Sequence, residues 1–116
     1  MNAKSPVLCR IGHVDDIPRE GARIVRLDTI DIAVFRTRDG GIFALENRCP
    51  HRGGPLSEGI VHGNAVTCPL HNWVIDLATG QATGADSGCV RTARVEVGPD
   101  GVLALDLASL PLSAAA

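Results

Sequence analysis

The most informative part of the chain reads Cys49-Pro50-His51-Arg52-Gly53-Gly54-Pro55, then, after a spacer, Cys68-Pro69-Leu70-His71-Asn72-Trp73. Each stretch contains one cysteine and one histidine, separated by one residue in the first and by two in the second. Sixteen residues lie between His51 and Cys68. Four side chains that bind soft or borderline metals, placed this close together, predict a single metal centre. The candidate ligands are Cys49, His51, Cys68 and His71.

The order of the ligands bears on the identity of the metal. Structural zinc sites usually take both cysteines from one half-site and both histidines from the other. Here each half-site is mixed, which suits a dinuclear cluster with two thiolates on one iron and two imidazoles on the other. Zinc, or four residues without a metal role, are the alternatives.

Length and composition restrict the class of protein. A chain of 116 residues, of which 45% are apolar, is large enough for one folded domain. Its net charge of −2, with dispersed Lys and Arg, argues against nucleic-acid binding. The first ten residues lack the apolar segment of a secretory signal, and no run approaches a membrane span of roughly 20 apolar residues. A cytoplasmic protein is therefore expected.

The remaining cysteines and histidines receive structural interpretations. Because thiols stay reduced in the cytoplasm, the four cysteines are interpreted as metal ligands or buried residues rather than as disulfides. Cys9 and Cys89 have no partner at metal-binding spacing, so both are expected to pack in the core. His13 and His62 are expected to be solvated. Trp73 is expected to anchor the second ligand loop by packing beneath it.

The secondary-structure signals are those of strands. Short alternating or β-branched runs recur with turn residues between them, and no helical period extends beyond one or two turns. The predicted strands are 7–11, 22–27, 30–36, 42–45, 59–62, 65–67, 74–77, 90–97 and 102–107. Asp39-Gly40, between two apolar runs, is a strong hairpin signal. Residues 13–18 are predicted to form a loop or one helical turn, and 81–88 an exposed loop. The pattern indicates an all-β sandwich or barrel.

Cys-x-His, sixteen residues and Cys-x-x-His, with Pro69 after the second cysteine, resemble the Rieske iron–sulfur proteins. The resemblance implies one [2Fe–2S] cluster per chain. Cys49 and Cys68 would bind the buried iron, whereas His51 and His71 would bind the outer, redox-active iron.

The same resemblance implies the domain organisation. Residues 1–116 would form a single Rieske domain with its core at about 7–107. The expected fold is an antiparallel β-sandwich or barrel, all-β, with a small cluster-binding subdomain formed by two loops at about 48–55 and 67–74. Residues 108–116 are expected to be a flexible tail.

Two departures from the Rieske proteins of respiratory and photosynthetic complexes are informative. Those proteins link the ligand loops by a disulfide, and Gly54 and Leu70 stand at the two cysteine positions here. The resemblance is therefore to the ferredoxin type. Those proteins also place a serine and a tyrosine after the second histidine, where this chain has Trp73 and Ile75. Since hydrogen bonds to the sulfurs stabilise the reduced cluster, a low redox potential is expected.

The sequence segments around the ligands resemble one group of Rieske proteins in particular. The relevant segments are 49–59, 68–77 and 88–92. They are similar to the small subunit of assimilatory NAD(P)H-dependent nitrite reductase. This implies a large-subunit partner with FAD, a [4Fe–4S] cluster and sirohaem, which reduces nitrite to ammonium with six electrons. The chain has no dinucleotide loop, P-loop or sirohaem motif, so it is expected to relay electrons or support that subunit, with no catalytic residue of its own.

The alternative from the same family is a free-standing ferredoxin that serves a ring-hydroxylating dioxygenase or another oxygenase. Such ferredoxins more often follow the second histidine with a glycine and carry a proline-rich loop afterwards. Asn72 and the proline-free segment 81–88 differ from that pattern. The nitrite reductase subunit is therefore the preferred hypothesis.

Overall fold

The computed structural model describes residues 7–27, 30–49, 54–70, 72–83 and 88–109. In that part of the chain all the regular structure consists of strands and single 3₁₀ turns, so the prediction of an all-β fold is confirmed. The strands are β1 Leu8–His13, β2 Gly21–Arg26, β3 Asp31–Arg36, β4 Ile42–Glu46, β5 Ile60–His62, β6 Ala65–Thr67, β7 Val74–Asp76, β8 Thr92–Val97 and β9 Val102–Asp106. The 3₁₀ turns are Val14–Asp16, Leu56–Glu58 and Leu107–Ser109.

The strands form two antiparallel sheets. A six-stranded base sheet has the order β1-β9-β8-β4-β3-β2, and a small sheet has the order β5-β6-β7. Strands β4 and β8 are neighbours in the base sheet, with Ala44 opposite Ala93 and Leu45 opposite Thr92. Residues 47–91 are therefore an insertion between two adjacent strands, and this insertion contains both ligand loops.

The hairpin from β3 to β4 forms where Asp39-Gly40 predicted it. Gly40 has φ +95°, a conformation that favours glycine. The backbone N–H of Thr37 donates to the Gly41 carbonyl at 2.8 Å, and the Thr37 hydroxyl donates to the Asp39 carboxylate at 2.6 Å. The hydroxyl hydrogen bond lowers the pKa of Asp39. Local turn chemistry thus sets the register of the central strands.

Strand β3 is buried on both faces and separates two cores. Its alternate side chains enter opposite sides, Ala33 and Phe35 on one and Ile32 and Val34 on the other. The first side is the shared core, which joins the base sheet to the insertion: Ala33, Phe35, Leu45, Cys49, Leu56, Val61, Val66, Cys68, Ile75, Leu77 and Val90. Burial of each large apolar side chain here contributes about 1.5–3 kcal/mol, so the ligand loops rest on a well-stabilised support.

The predicted burial of the two isolated cysteines is wrong. Cys9 and Cys89 are free and exposed. Cys9 lies on β1, one of the two edge strands of the base sheet, and no other strand of the described residues pairs with its outer side. Cys89 forms an isolated bridge with Gln81 outside the named strands. Hydrophobic character alone did not indicate that both positions lie at a margin of the fold.

The two histidines outside the ligand set differ in their surroundings. His62 is exposed, as predicted, and its Nε2 is hydrogen-bonded to the Thr67 hydroxyl at 2.7 Å. His13 is only half-exposed and has a structural role that was not predicted. Its Nδ1 accepts from the Asp15 backbone N–H at 3.0 Å, which caps the first 3₁₀ turn, and its Nε2 donates to the Asp100 carbonyl at 2.7 Å.

Ordered structure continues past the predicted end of the core at residue 107. Ser109 accepts from the Arg94 backbone N–H at 2.8 Å and donates to the Asp106 carbonyl at 2.7 Å. The carboxylate of Asp106, which is 3% exposed, accepts from the N–H groups of Val7 and Ala108, each at 3.0 Å. The Asp106 carboxylate thereby links the first described residue, Val7, to the end of the last strand. Residues 110–116 of the predicted tail lie outside the described residues. None of the described helical segments has the length and apolar character needed to cross a membrane.

Candidate metal centre

The first ligand loop leaves the end of β4. Cys49 is 1% exposed and belongs to the shared core. Its backbone N–H donates to the Gly54 carbonyl at 2.8 Å, which joins the two described ends of this loop. Asn47, just before the loop, accepts the Ser57 N–H at 2.8 Å through its side-chain oxygen. This second bond ties the loop to the 3₁₀ turn that follows it.

The second ligand loop repeats this design. Cys68 directly follows β6, is 1% exposed and also belongs to the shared core. Its N–H donates to the Trp73 carbonyl at 2.7 Å, again five residues further along the chain. Asn72 has φ +60° and donates its N–H to the Cys68 carbonyl at 3.1 Å. The left-handed Asn72 turns the backbone sharply at a position that asparagine tolerates better than most residues.

The two loops meet at Gly54. A methyl group placed on Gly54 would lie 3.1 Å from the Cys68 sulfur, closer than an ordinary contact. Gly54 is thus bonded through its carbonyl to Cys49 and approaches Cys68 through its bare Cα. Two buried thiols on adjoining loops suit a sulfur-containing cluster, because thiolates are the ligands that iron–sulfur clusters take. The described residues therefore fit the thiolate half of a [2Fe–2S] site.

The histidine half cannot be placed in the same way. His51 and His71 lie outside the described residues, together with residues 50–53 of the first loop. Within the described ranges no group of three or more His, Cys, Asp or Glu side chains is positioned to hold a metal ion. The set of four ligands accordingly remains a prediction, of which the structure brings together the two cysteines.

Trp73 and Ile75 support the second loop from the interior. Trp73 is partly buried and packs against the shared core that contains both cysteines, in agreement with the predicted anchoring role. Ile75 on β7 is fully buried in the same core. The position where high-potential relatives carry a tyrosine is thus filled by an aliphatic side chain, which has no hydrogen bond to offer.

Exposed groups surround the loops on the outside. Cys68, which directly follows β6, is buried. The next described residues, Pro69, Leu70 and Asn72, are exposed. Arg48, next to Cys49, is exposed as well. Arg91 lies 3.8 Å from the Glu46 carboxylate, and the Glu46 N–H donates to the Arg91 carbonyl at 2.8 Å where the insertion closes. The buried cysteines therefore lie directly beneath a surface that a partner can reach.

Sequence comparison identifies the family. Residues 7–94 match the family described as the Rieske [2Fe-2S] domain. Among curated relatives, the ferredoxin subunit of 3-phenylpropionate/cinnamic acid dioxygenase from Photorhabdus laumondii is 46% identical over 70 residues, which are 60% of this chain and 65% of that protein. The chain spans between 12% and 65% of the length of the first curated relatives that it matches.

Solved structures extend the likeness to nearly the whole chain. A protein from Mycobacterium tuberculosis assigned as the small subunit of an NADH-dependent nitrite reductase superimposes with a TM-score of 0.79 at 25% identity, covering 88% of this chain and 96% of that one. The E. coli protein NirD gives a TM-score of 0.75 at 25% identity, covering 87% and 96%. Ferredoxins of dioxygenases superimpose equally well, with a TM-score of 0.77 for that of carbazole 1,9a-dioxygenase.

Proposed function

Because this chain belongs to the Rieske [2Fe–2S] family, we propose that it is the electron-carrying small subunit of an assimilatory NAD(P)H-dependent nitrite reductase. The observation that carries the proposal is the sequence of segment 68–77, which resembles that of the nitrite reductase small subunits. In the structure its apolar residues Ile75 and Leu77 are buried in the shared core, and its exposed residues Pro69, Leu70 and Asn72 lie on the second loop. The agreement with NirD over 96% of its length supports the assignment.

Different residues of the chain would bind the cluster, exclude water from it and keep it accessible to a partner. Cys49 and Cys68 would hold one iron as thiolates, and His51 and His71 would hold the other. When bound between these residues, the cluster would supply one-electron transfer. Burial of both cysteines excludes water from the inner side, while the exposed outer side of the second loop keeps the path to a partner short.

The proposed partner is a large subunit with FAD, a [4Fe–4S] cluster and sirohaem. A hydride from NAD(P)H delivers two electrons and nitrite requires six, so a one-electron carrier has to work beside a flavin that separates the pair. The chain would act in this complex as a relay or support and would not reduce nitrite alone.

Reconstitution with the partner tests the proposal. The purified chain is to be mixed with a sirohaem-containing large subunit encoded by the same genome. We expect a stable complex on gel filtration and nitrite-dependent NAD(P)H oxidation that requires both chains. A chain that neither binds the large subunit nor changes its activity would contradict the proposal.

One observation favours a second candidate, a ferredoxin that serves an oxygenase. The ferredoxin subunit of 3-phenylpropionate/cinnamic acid dioxygenase is 46% identical over 70 residues, and dioxygenase ferredoxins of known structure match at 25–26% identity, as the nitrite reductase small subunits do. In that case the chain would pass electrons from a flavoprotein reductase to a Rieske oxygenase and support substrate-dependent oxygen uptake, without binding a sirohaem subunit. Testing one preparation of the chain in both assays decides between the two candidate functions.

A low redox potential is expected with either partner. Ile75 is fully buried and cannot donate a hydrogen bond to a cluster sulfur, so the reduced state lacks one of the stabilising bonds of high-potential Rieske proteins. The midpoint is expected near the lower end of the range of roughly −150 to +300 mV. An EPR-monitored titration measures it, and a value above about +100 mV on that range would refute the argument.

A further inference from the structure

The side chain of Leu70 covers the bare Cα of Gly54. A methyl group on Gly54 would lie 2.8 Å from Leu70 Cδ1 and 2.9 Å from Leu70 Cγ, so the leucine occupies the space that the glycine leaves. Gly54 is buried, whereas Leu70 is 51% exposed. One half of an otherwise solvent-facing leucine is thus turned inward, onto the opposite ligand loop.

This contact joins the same two loops that hold the cysteines. Gly54 is bonded to the Cys49 N–H through its carbonyl, and Leu70 stands two residues after Cys68. A displacement of Leu70 from Gly54 would therefore allow the loops to separate and the distance between the two sulfurs to change. Two thiolates can share one iron only at a fixed separation, so the loops need a restraint of this kind.

We propose that Leu70 is a positioning residue for the cluster, which clasps the two ligand loops together by packing on Gly54. An apolar contact thus takes the place of the covalent link at the positions where some relatives carry a disulfide. The inference depends on the family's cluster and is independent of whether the electron acceptor is a nitrite reductase or an oxygenase.

Iron release from the loaded protein tests the clasp. Leu70→Ala removes the packing on Gly54, and we expect cluster loss to a strong iron chelator to accelerate about tenfold, the factor that corresponds to about 1.4 kcal/mol. The melting temperature of the apo-protein should change little, because the side chain is half-exposed. Val97→Ala is the matched control, since Val97 is 50% exposed on the base sheet, and it should release iron at the wild-type rate. Leu70→Met should retain most of the wild-type stability of the cluster.

A double variant, Gly54→Cys with Leu70→Cys, provides a second measurement. The Leu70 Cβ is one bond from Cγ, so it lies within about 4.5 Å of the Cβ that would be added to Gly54, inside the range that a disulfide requires. The oxidised double variant is expected to release iron more slowly than Leu70→Ala, and reduction of the disulfide should remove this advantage. The result also decides the case in which Leu70→Ala cannot be loaded at all.

Three outcomes would overturn the clasp. The first is an unchanged rate of iron release in Leu70→Ala. The second is a fall in the stability of the Leu70→Ala apo-protein as large as the loss of cluster stability. The contact would then stabilise the fold in general and not the cluster in particular. The third is weakened partner binding with normal cluster retention, which would make Leu70 a docking residue.

Discussion

Cys68→Ser is expected to abolish the visible and EPR signature of the [2Fe–2S] cluster and to reduce bound iron to background. Cys68 is buried beside Gly54, and a serine hydroxyl does not supply the thiolate that an iron–sulfur cluster requires. The far-UV circular dichroism of the domain should stay that of a β protein, because serine is close to cysteine in size. Iron and acid-labile sulfide analysis after anaerobic reconstitution gives the measurement.

Two controls carry the same substitution at exposed sites. Cys9→Ser and Cys89→Ser should retain about two irons and two sulfides per chain, the content of a [2Fe–2S] cluster, because both thiols lie on the surface. His71→Ala should lose the Rieske spectrum as Cys68→Ser does, although that expectation rests on the family pattern. A full spectrum in Cys68→Ser would remove this residue from the ligand set, and iron loss in either control would add a ligand that the family pattern does not contain.

Gly59→Ala is expected to destabilise the domain by about 3 kcal/mol or more. Gly59 has φ −80°, which any residue can adopt, so the effect is purely steric. The added methyl group would overlap the carbonyl oxygen of Thr67 and lie 2.9 Å from Val66 Cγ2. Val66 is fully buried and Thr67 directly precedes Cys68, so the second ligand loop would be displaced as well. A fall in melting temperature on the order of 15 °C corresponds to this cost.

Gly98→Ala is the matched control. A methyl group there meets only ordinary contacts, the nearest being the Asp100 carboxylate at 3.4 Å and the Val102 carbonyl at 3.5 Å. Its effect should stay within about 0.5 kcal/mol. Thermal unfolding of the apo-proteins followed by circular dichroism compares the two variants. Equal melting temperatures for Gly59→Ala and the wild type would show that β5 and β6 separate without cost.

The strands were predictable because their signals are local. Short alternating or β-branched apolar runs, with turn residues between them, predicted every strand of the base sheet, and Asp39-Gly40 located the central hairpin. The boundaries were less accurate: β1 continues to His13 through an irregular register at Gly12, which looked like the end of a strand. The strand order was not predictable, since the pairing of β1 with β9 joins residues about a hundred positions apart and leaves no local trace.

The candidate site divides in the same way. Spacing indicated Cys49 and Cys68 as candidate ligands, and the structure buries both in one core. The hydrogen bonds that close the two loops join backbone groups. Every residue type has these groups, so the sequence does not indicate which of them pair. The contact between Leu70 and Gly54 depends on how the loops face each other, so it appears only in three dimensions. Cys9 was misjudged for a related reason, because its position at a sheet edge is a property of the topology.

The adjacency of β4 and β8 has an evolutionary consequence. Since residues 47–91 leave and rejoin the base sheet through neighbouring strands, their two ends lie side by side, joined by the bond from the Glu46 N–H to the Arg91 carbonyl. A segment of different length or sequence at this place can leave and rejoin the base sheet at the same two neighbouring strands. Residues 47–91 can therefore change during evolution to suit a new electron acceptor while the base sheet is kept. One architecture can in this way serve oxygenases and nitrite reductases alike.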